Sequence, residues 1–325
     1  MNLMKPVTCL RNSLGVIDLK VLVTGVSGYI GSHIALELIQ TGHEVIGIDT
    51  APSSNNLLNF FLIDIRDTDA VIELVKNANI DIVVNLAAKK SVKESFDEPS
   101  EYFEVNSHAV ERIVARLEGT RVHKVIHASS AAIYGNQQSV YADESMTPNP
   151  MSPYAESKIL SENVLKHWGA ENQISIYSLR FFNVLGSSNS KLRDKSAGSL
   201  LPGILNEIRH SRPAIVFGNS YPTLDGSCIR DYVHVLDVTR AVIDLCNRSE
   251  LRPSSLILNI GSGHGHTVIE VINEVFNHLS LPTNYIIEAP RPGDIPAIIA
   301  DINYAKSEID YRPSYNLRDM IQSSI

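Results

Sequence analysis

A tyrosine and a lysine four residues apart, Tyr154 and Lys158, are the side chains of this sequence best suited to moving a proton. They follow Ser152–Pro153, a pair typical of a helix start, and positions i and i+4 share one helix face. A phenol titrates near ~10, so a neighbouring ammonium that favours the phenolate lets it act closer to neutral pH. Ser130 ends a predicted strand in the segment HASSAAIYG and can hold a substrate oxygen by hydrogen bond.

These side chains need a bound reactant, and a glycine-rich turn near the start of the chain predicts where one binds. A short apolar strand, Lys20–Thr24, meets Gly25, Gly28 and Gly31, and an apolar pattern of helical period begins at Ile30. Glycines allow a tight turn and a close approach of the ligand, and the start of the helix favours an anion. A pyrophosphate fits both requirements.

Asp49 indicates which cofactor carries that pyrophosphate. The spacing G-x-x-G-x-x-G differs from the commoner dinucleotide pattern, but a second apolar strand, Glu44–Ile48, follows the helix and ends in Asp49. An acidic residue there accepts hydrogen bonds from a ribose and repels a 2′-phosphate, which favours NAD over NADP. A lone Tyr-x-x-x-Lys is usually a solvated helix face, but the glycine turn and the Ser130 strand end converge with it on one site.

Strands alternate with helices from residue 20 to residue 183, which predicts an α/β fold with a doubly wound parallel Rossmann sheet. Within this range we predict further strands and helices at Leu57–Ile65, Ala70–Lys76, Ile80–Ala87, Pro99–Leu117 and Lys124–Ser129. The predicted domains are an N-terminal extension at 1–18, an NAD-binding domain at 19–183 and a smaller, mainly substrate-binding C-terminal lobe at 184–325. Within that lobe we predict a loop at 184–197, a helix at 200–209 and a strand near 256–260 that returns to the large sheet.

The composition of the chain limits which binding partners and which cellular location are expected. The chain has 325 residues and a net charge of −8, without a basic run, so nucleic acid is not an expected partner. Its apolar stretches are too short for a membrane span, and the first residues lack a signal peptide's apolar centre. Three well-separated cysteines favour a reducing, cytoplasmic location. His264 and His266 have no third ligand nearby in sequence, so no metal is predicted.

Six motifs extend the pattern from residue 20 towards the C-terminus. They are TGVSGYIGSH at 24–33, SSAAIYG at 129–135, SPYAESK at 152–158, LRFFN at 179–183, FGNSYPTLDGSCIRDYVHV at 217–235 and PRPGDIPA at 290–297. The chain resembles the extended short-chain dehydrogenase/reductase superfamily and, within it, the UDP-glucose 4-epimerase family. The fifth motif is the most specific to that family.

The resemblance implies an NAD site and a nucleotide-sugar site. The implied NAD contacts are Gly25, Gly28, Tyr29, Ile30, Gly31, Asp49, Asp64, Ile65, Leu86, Ala87, Ala88, Lys90, Asn106, Tyr154, Lys158 and Phe182. The implied UDP-sugar contacts are Ser130, Asn183, Leu200, Ile215, Phe217, Arg230, Arg291 and Asp294. Arginines suit a diphosphate because they donate two parallel hydrogen bonds, and a phenylalanine offers uracil an apolar face.

The resemblance also implies an isomerase reaction of galactose metabolism. Tyr154 takes the proton of the sugar 4-hydroxyl while the C4 hydride passes to tightly bound NAD, with Lys158 and Ser130 assisting. The resulting 4-keto sugar rotates and regains the hydride on its other face, so that UDP-glucose and UDP-galactose interconvert. The resemblance further implies a homodimer, paired through helices near 100–117 and 154–168.

Three alternatives stay open at this point. A UDP-N-acetylglucosamine 4-epimerase is one, because Ile298, of intermediate size, occupies a position that in this family governs access of an N-acetyl group. An NAD(P)H-dependent nucleotide-sugar reductase and a non-enzymatic NAD-binding regulatory protein are the others. A sugar-nucleotide dehydratase is disfavoured, because it needs an Asp-Glu pair where this chain has Ala131 and Ala132.

Overall fold

The structure is a computed structural model that describes residues 19–53, 59–196, 198–249, 253, 255–291 and 293–325. The strands are β1 Lys20–Thr24, β2 Glu44–Asp49, β3 Phe60–Leu62, β4 Ile82–Asn85, β5 Lys124–Ser130, β6 Tyr141–Ala142, β7 Ser175–Phe181, β8 Asn183–Leu185, β9 Ala214–Phe217, β10 Ile229–His234, β11 Ser255–Ile260, β12 Gly265–Thr267, β13 Tyr285–Glu288 and β14 Ala297–Ala300. The helices are α1 Tyr29–Gln40, α2 Thr68–Ala78, α3 Val92–Asp97, α4 Pro99–Phe103, α5 Ala109–Val114, α6 Pro153–Asn172, α7 Leu200–Arg209, α8 Val235–Asn247, α9 Val268–His278, α10 Asn303–Ile309 and α11 Leu317–Ser324.

A seven-stranded sheet forms the centre, with the order β11-β7-β5-β4-β1-β2-β3 and parallel pairing throughout. The chain leaves β1 towards β2 and β3 on one side and continues through β4 and β5 on the other. The switch of direction therefore lies between β1 and β4, and ligands of such sheets bind at the carboxyl ends of the strands there. This topology confirms the predicted doubly wound α/β fold.

Both faces of the sheet are buried, which explains why its strands lack alternation. Val21 and Val23 of β1 pack on one side with α1 and α8, whereas Leu22 packs on the other side with α2, α5 and α6. Parallel strands covered on both faces are apolar at nearly every position. Because α8 follows residue 183 in sequence, the later half of the chain supplies part of this helix layer.

The later part of the chain, together with β6, builds two smaller sheets. A five-stranded sheet contains β12, β10, β14 and β6 in that order, and β8 also pairs with β10. The two-stranded sheet of β13 and β9 packs with α7, α9 and α11 around a separate apolar core. The predicted strand near 256–260 is β11, which pairs with β7 in the large sheet.

Several sequence predictions differ from the structure. The single helix predicted at Pro99–Leu117 is α4, a π turn at Glu104–His108 and α5, and the predicted strand Ile80–Ala87 is shortened to β4. The predicted loop at 184–197 begins inside β8, because Val184 and Leu185 pair with Val233 and His234 of β10. The strand predicted at Leu57–Ile65 is shorter in the structure, where β3 covers Phe60–Leu62. Residues 57 and 58 lie outside the described residues. After β3, the Ile63 N–H donates to the Asp49 carbonyl oxygen. The predicted extension at 1–18 lies outside the described residues as well.

Candidate active site

The start of α6 sets the orientation of Tyr154 and Lys158. Ser152 caps the helix by accepting the N–H of Ala155 at 3.2 Å, and Pro153 occupies the first helical position. A cap and a proline at this point fix where the helix begins. The side chain of Lys158 consequently faces the sheet and is buried.

Lys158 is held at the carboxyl end of β5. Its Nζ donates a hydrogen bond to the Ala128 carbonyl oxygen at 2.8 Å. Burial lowers the pKa of Lys158 to about 8, and the nearby Glu162 carboxylate partly opposes this shift. The carbonyl that binds the ammonium belongs to Ala128, two residues before Ser130 on β5. With a pKa of about 8, the protonation state of Lys158 responds to small changes in its surroundings near neutral pH.

Tyr154 and Ser130 lie beside one another. Burial raises the pKa of the Tyr154 phenol, and the Ser130 hydroxyl opposes this by hydrogen bonding to it. Ser130 Oγ also accepts the N–H of Ala132 at 3.2 Å, at the start of the 3₁₀ turn Ala131–Tyr134. The Tyr102 ring packs against Tyr154 edge to face, with centroids 6.3 Å apart. The structure therefore brings Ser130 and Tyr154 together, and Lys158 follows one turn later on the same face of α6.

A chain of buried hydrogen bonds joins the glycine turn to α6. The Thr24 hydroxyl donates to Asn85 Oδ1 at 2.7 Å, and Asn85 Nδ2 lies 3.0 Å from His127 Nδ1. His127 Nε2 lies 2.9 Å from Ser161 Oγ, and that hydroxyl donates to the Lys158 carbonyl oxygen at 2.9 Å. These contacts cross β1, β4 and β5, so the turn and the helix that bears Lys158 are held at a fixed separation.

The glycine turn has the shape that a pyrophosphate cradle requires. Gly25 has φ +69°, and a Cβ there would lie 2.8 Å from the Ala87 nitrogen. A Cβ on Gly31 would lie 2.2 Å from the Gly25 carbonyl oxygen, so neither position admits a side chain. Gly28 precedes α1, and no side chain caps that helix, so the N–H groups at Tyr29 and Ile30 are presented at the turn.

Asp49 lies at the end of β2 beside this turn. Its carboxylate accepts the Ser27 N–H at 2.9 Å and the Ala51 N–H at 3.0 Å. These bonds orient the carboxylate at the carboxyl edge of the sheet, where a dinucleotide's ribose lies in folds of this type. The glycine cradle, the uncapped start of α1 and Asp49 together fit NAD.

The loop after β4 carries the next predicted cofactor residues. The N–H groups of Leu86 and Ala87 both donate to Thr24 Oγ1 at 3.1 Å, and Ala88 follows them. Lys90 Nζ donates to Ser196 Oγ at 2.8 Å, across to the later part of the chain. These contacts hold the loop beside the end of β1, where the order of the strands in the sheet reverses between β1 and β4.

Asn106 lies in the π turn Glu104–His108 between α4 and α5. Its side chain accepts the Lys89 N–H at 2.9 Å and donates to Ser157 Oγ at 3.0 Å. Single π turns often occur at functional sites because they redirect a side chain. Here the turn lets Asn106 bridge the β4 loop and α6.

Other predicted cofactor residues are already engaged by neighbours. The Asp64 carboxylate forms an ion pair with Arg66 at 2.6 Å, and this hydrogen bond holds the pKa of Asp64 below its usual range. The Ile65 side chain is buried in the core. Tyr29 donates its hydroxyl to the Gly186 carbonyl oxygen at 2.5 Å, and Phe182 packs beside Tyr134. At Tyr29 the backbone N–H at the uncapped start of α1 is therefore the part presented at the glycine turn.

The predicted UDP-sugar residues lie in the later part of the chain. Arg230, on β10, donates to the Ile295 carbonyl oxygen at 2.8 Å and pairs with Asp294 at 3.3 Å. The Arg291 guanidinium lies 3.8 Å from the centroid of the Phe217 ring, so one face of that ring is covered by a cation.

The remaining predicted sugar contacts come from three separate elements. Ile215 is on β9 beside Phe217, Asn183 opens β8, and Leu200 opens α7. Ser199, just before α7, makes no side-chain cap. The helix therefore presents uncapped N–H groups, a feature that suits an anion.

Two classes of site are absent from the part of the chain that the structure describes. No helix there is long and apolar enough to cross a bilayer. No group of three or more His, Cys, Asp or Glu side chains in the same residues is arranged to hold a metal ion. His264 instead bonds within its own turn, to the Ser262 carbonyl oxygen at 3.1 Å.

Comparison with known proteins places this arrangement in a family. The family model described as the NAD dependent epimerase/dehydratase family matches residues 21–261. The chain belongs to this family. The match covers the whole large sheet and parts of the two smaller sheets, so it extends well beyond the glycine turn.

Several UDP-glucose 4-epimerases resemble the chain over nearly its full length. It is 32% identical to a UDP-glucose 4-epimerase of Neisseria meningitidis serogroup C, covering 94% of this chain and 96% of that protein. A crystal structure of UDP-glucose-4-epimerase from Stenotrophomonas maltophila, with bound NAD and formylated UDP-arabinopyranose, is 32% identical with a TM-score of 0.87, covering 94% of this chain and 96% of that chain. The UDP-Glc/GlcNAc 4-epimerase of Campylobacter jejuni is 29% identical with a TM-score of 0.79, covering 94% and 98%. The resemblance stated from the motifs is confirmed.

Sequence reasoning about this family member missed a buried cluster beneath the site. Glu162, Arg180 and Ser129 are linked by hydrogen bonds and are almost fully buried. One pattern could have indicated it: Tyr154, Lys158 and Glu162 recur every four residues, so they share one helix face. Arg180 lies in the LRFFN motif, which carries no indication of its partner.

Proposed function

We propose that this protein catalyses the reversible 4-epimerisation of a UDP-hexose, interconverting UDP-glucose and UDP-galactose with tightly bound NAD. One observation carries the proposal: Tyr154 lies beside Ser130, and Lys158, one turn further along the same face of α6, binds the Ala128 carbonyl oxygen near the carboxyl end of β5. Membership of an epimerase family and similarity to named UDP-glucose 4-epimerases support it.

The proposed chemistry divides the work among three side chains. NAD, when bound, supplies the acceptor and later the donor of the C4 hydride. Tyr154 accepts the proton of the sugar 4-hydroxyl, and Ser130 holds that oxygen by hydrogen bond. Lys158 stabilises the phenolate by its positive charge. After the 4-keto sugar has turned, Tyr154 returns the proton while the hydride re-enters on the opposite face, so C4 is inverted.

For NAD we infer two groups of contacts. The glycine turn with Asp49 holds the pyrophosphate and ribose, and the β4 loop with Asn106 holds the nicotinamide half. The geometry that supports this is the close packing of Gly25 against Ala87, which brings turn and loop together.

For the UDP-sugar we infer that Arg230 and Arg291 meet the diphosphate. Arg230 is fixed by Asp294 and by the Ile295 carbonyl, so its guanidinium needs little reordering on binding. Arg291 must leave the Phe217 ring, at least in part, before uracil can stack there. Binding of the nucleotide is therefore expected to move Arg291 more than Arg230.

We further infer a division of the chain into an NAD-binding domain, 19–183, and a mainly substrate-binding lobe, 184–325. Two elements of the later part, α8 and β11, belong structurally to the first domain, because they pack on α1 and pair with β7. Cys228 and Cys246 are free thiols, which supports the proposed cytoplasmic location.

A homodimer is part of the proposal. Leu160, on α6 within the range 154–168 that the family resemblance pairs across a two-fold axis, is a large exposed apolar side chain, and Val92 and Phe96 on α3 are exposed as well. Burying them against a second copy would remove them from water. Light scattering at micromolar concentration is expected to give about twice the 35.8 kDa chain mass. A monomer mass would remove this part of the proposal.

The sugar range has one specific second candidate. Ile298 is buried on β14 in a cluster with Ala131 and Phe182, beside the proposed sugar site. Its side chain is smaller than a tyrosine, which supports testing N-acetylated sugars as well. Ala131 and Ala132 carry methyl groups that cannot move protons, so a dehydratase is not proposed.

The experiment uses purified protein without added cofactor. We expect UDP-galactose to be converted to UDP-glucose, with UDP-N-acetylgalactosamine as the parallel substrate and chromatography of the products as the readout. Tyr154→Phe should abolish conversion. Tyr304→Phe, which changes an exposed tyrosine far from α6 in sequence, is the matched control.

No conversion of either sugar, even with NAD supplied, would contradict the proposal. Stoichiometric consumption of NAD(P)H with a keto sugar would favour the reductase. Unchanged ligand binding in Tyr154→Phe without turnover in wild type would favour the regulatory protein.

A further inference from the structure

Glu162 and Arg180 form a buried ion pair directly beneath the proposed catalytic face. Their side chains are 4% and 3% exposed. Arg180 donates through Nε to Glu162 Oε1 at 3.1 Å and through a terminal nitrogen to Oε2 at 2.8 Å. Two parallel bonds of this kind fix both side chains in one geometry.

The pair holds both sides of the turn that contains Ser130. Ser129, the residue before it, donates its hydroxyl to Glu162 Oε1 at 2.5 Å. Tyr134, at the end of the 3₁₀ turn after Ser130, accepts a hydrogen bond from Arg180 at 3.0 Å and donates its own hydroxyl to Asn259 at 2.6 Å. The backbone that aims Ser130 at Tyr154 is thus fastened to the ion pair at two points.

The pair also determines the charge around Lys158. The titratable groups that act on its ammonium are Glu162 on α6 and His127 on β5, with Arg180 on β7 paired to Glu162. Tyr154 lies one turn before Lys158 on the same helix face. Burial and the Lys158 charge both lower the pKa of His127, so that imidazole is neutral. Glu162 is therefore the negative charge that raises the pKa of Lys158 against the effect of burial.

We propose that Glu162, paired with Arg180, is a positioning residue for the epimerisation: it fixes Ser129 so that Ser130 meets Tyr154, and its charge stabilises the Lys158 ammonium. This inference rests on the function proposed above. A purely architectural ion pair can be replaced by apolar side chains at little cost. A positioning role predicts instead that the site changes even when the fold survives the replacement.

The first test measures Lys158 directly. The protein as purified is labelled with ¹³C at the lysine ε-carbons, and the Lys158 resonance is assigned by its loss in Lys158→Met. Glu162→Gln is expected to lower the titration midpoint of that resonance by about one pH unit, since a unit charge one helical turn away is removed. Glu156→Gln removes a charge from an exposed position on the same helix and should leave the midpoint in place. An unchanged midpoint in Glu162→Gln would overturn the inference.

A second arm guards against unfolding, because Glu162→Gln leaves Arg180 as an unpaired buried cation. Glu162→Gln combined with Arg180→Met removes both charges. The midpoint of the double variant should lie between those of wild type and Glu162→Gln, because the repulsion from Arg180 is also gone. A midpoint equal to that of wild type would contradict the role of Glu162.

Turnover supplies the last readout. In folded Glu162→Gln, kcat is expected to fall about tenfold or more while KM for the UDP-sugar changes little, and the high-pH limb of the rate profile should move to lower pH. A change confined to KM, or a rate profile of unchanged shape, would count against positioning. If wild type itself converts no UDP-sugar, the proposed function fails, but the NMR titration still decides whether Glu162 sets the charge of Lys158.

Discussion

Two buried lysines contact opposite ends of strand β5. Lys124 is its first residue and is 2% exposed, and Lys158 reaches its carboxyl end from α6 and is 3% exposed. Lys124 donates to the carbonyl oxygens of Leu245 and Arg248 at 2.6 and 2.8 Å, at the end of α8. Lys158 donates to Ala128 at 2.8 Å.

The difference lies in what surrounds each ammonium. At the end of α8, Lys124 donates to two backbone carbonyls, which carry the negative end of the helix dipole, and its ammonium lies 6.0 Å from the centroid of the Tyr177 ring. Around Lys158 lie the His127 imidazole and the Glu162 carboxylate, and burial lowers the pKa of Lys158 to about 8. Lys124 therefore stabilises the packing of α8 on the sheet, whereas Lys158 has a protonation state that can change near neutral pH, one helical turn from Tyr154.

The largest effect is expected at Tyr154. Tyr154→Phe removes the hydroxyl that moves the proton and should lower the epimerisation rate about 10³-fold or more. The fold should be retained, because the ring still packs against Tyr102. Product chromatography measures the rate, and circular dichroism checks the fold. Residual activity within tenfold of wild type would mean that another group is the base.

Lys158→Met should separate activity from stability. The rate should fall about 10²-fold, since the charge that favours the phenolate is lost. At pH 7 the folded protein carries a buried charge whose pKa has dropped from 10.5 to about 8. Between these values the unfolded chain holds the proton that the folded protein has released, so wild-type stability rises with pH.

The same substitution is therefore expected to leave the unfolding free energy at pH 7 unchanged or raise it by about 1–3 kcal/mol. Any gain over wild type should shrink as the pH rises above 8. Urea unfolding at pH 7 and pH 9 measures both effects. A clear loss of stability at pH 7 would make Lys158 a structural lysine like Lys124.

Lys124→Met should show the reverse pattern. The carbonyl groups of Leu245 and Arg248 would lose a charged donor, so the unfolding free energy should fall by about 2–3 kcal/mol. The rate per folded molecule should remain close to wild type below the unfolding transition. Thermal unfolding combined with active-site titration distinguishes the two quantities. A selective loss of rate would contradict the assignment of Lys124 to the fold alone.

The smallest effect concerns a buried histidine on β10. His234 accepts the Leu236 N–H at 3.0 Å, contacts Ser323 and stacks on Tyr315, and burial lowers its pKa to about 4. Below pH 6.5 the unfolded chain binds a proton that the folded protein refuses, so stability falls as the pH drops towards 4. His234→Asn should reduce this dependence by up to about 1.4 kcal/mol per pH unit. Urea unfolding at pH 6.5, 5.5 and 4.5 is the check, and an unchanged slope would exclude His234 as a contributor.

The sequence predicts best those features that depend on neighbours in the chain. The bounds of α7 agree with the predicted helix at 200–209, and the Ser152 cap marks the start of α6 as expected. Apolar period and capping are local properties. The doubly wound arrangement of the large sheet also follows, because alternating strands and helices allow few topologies.

Contacts between residues that are far apart in the chain could not be predicted from the sequence. The chain from Thr24 through Asn85 to His127 joins three strands, and nothing in their separate motifs specifies this pairing. Arg291 and Phe217 were each expected at the nucleotide, but their stacking on one another depends on how the segment that carries Arg291 meets the end of β9. The same applies to Glu162 and Arg180, whose side chains meet only after α6 has packed on β7.

The most direct test of the proposed chemistry follows the hydrogen at C4. UDP-galactose carrying deuterium at C4 is incubated in ordinary water with the purified protein and no added cofactor, and the UDP-glucose formed is analysed by mass spectrometry and NMR. We predict that the product retains deuterium at C4, because the hydride leaves and returns within one closed site. UDP-glucose that has lost the deuterium to solvent would contradict the proposed mechanism at its centre.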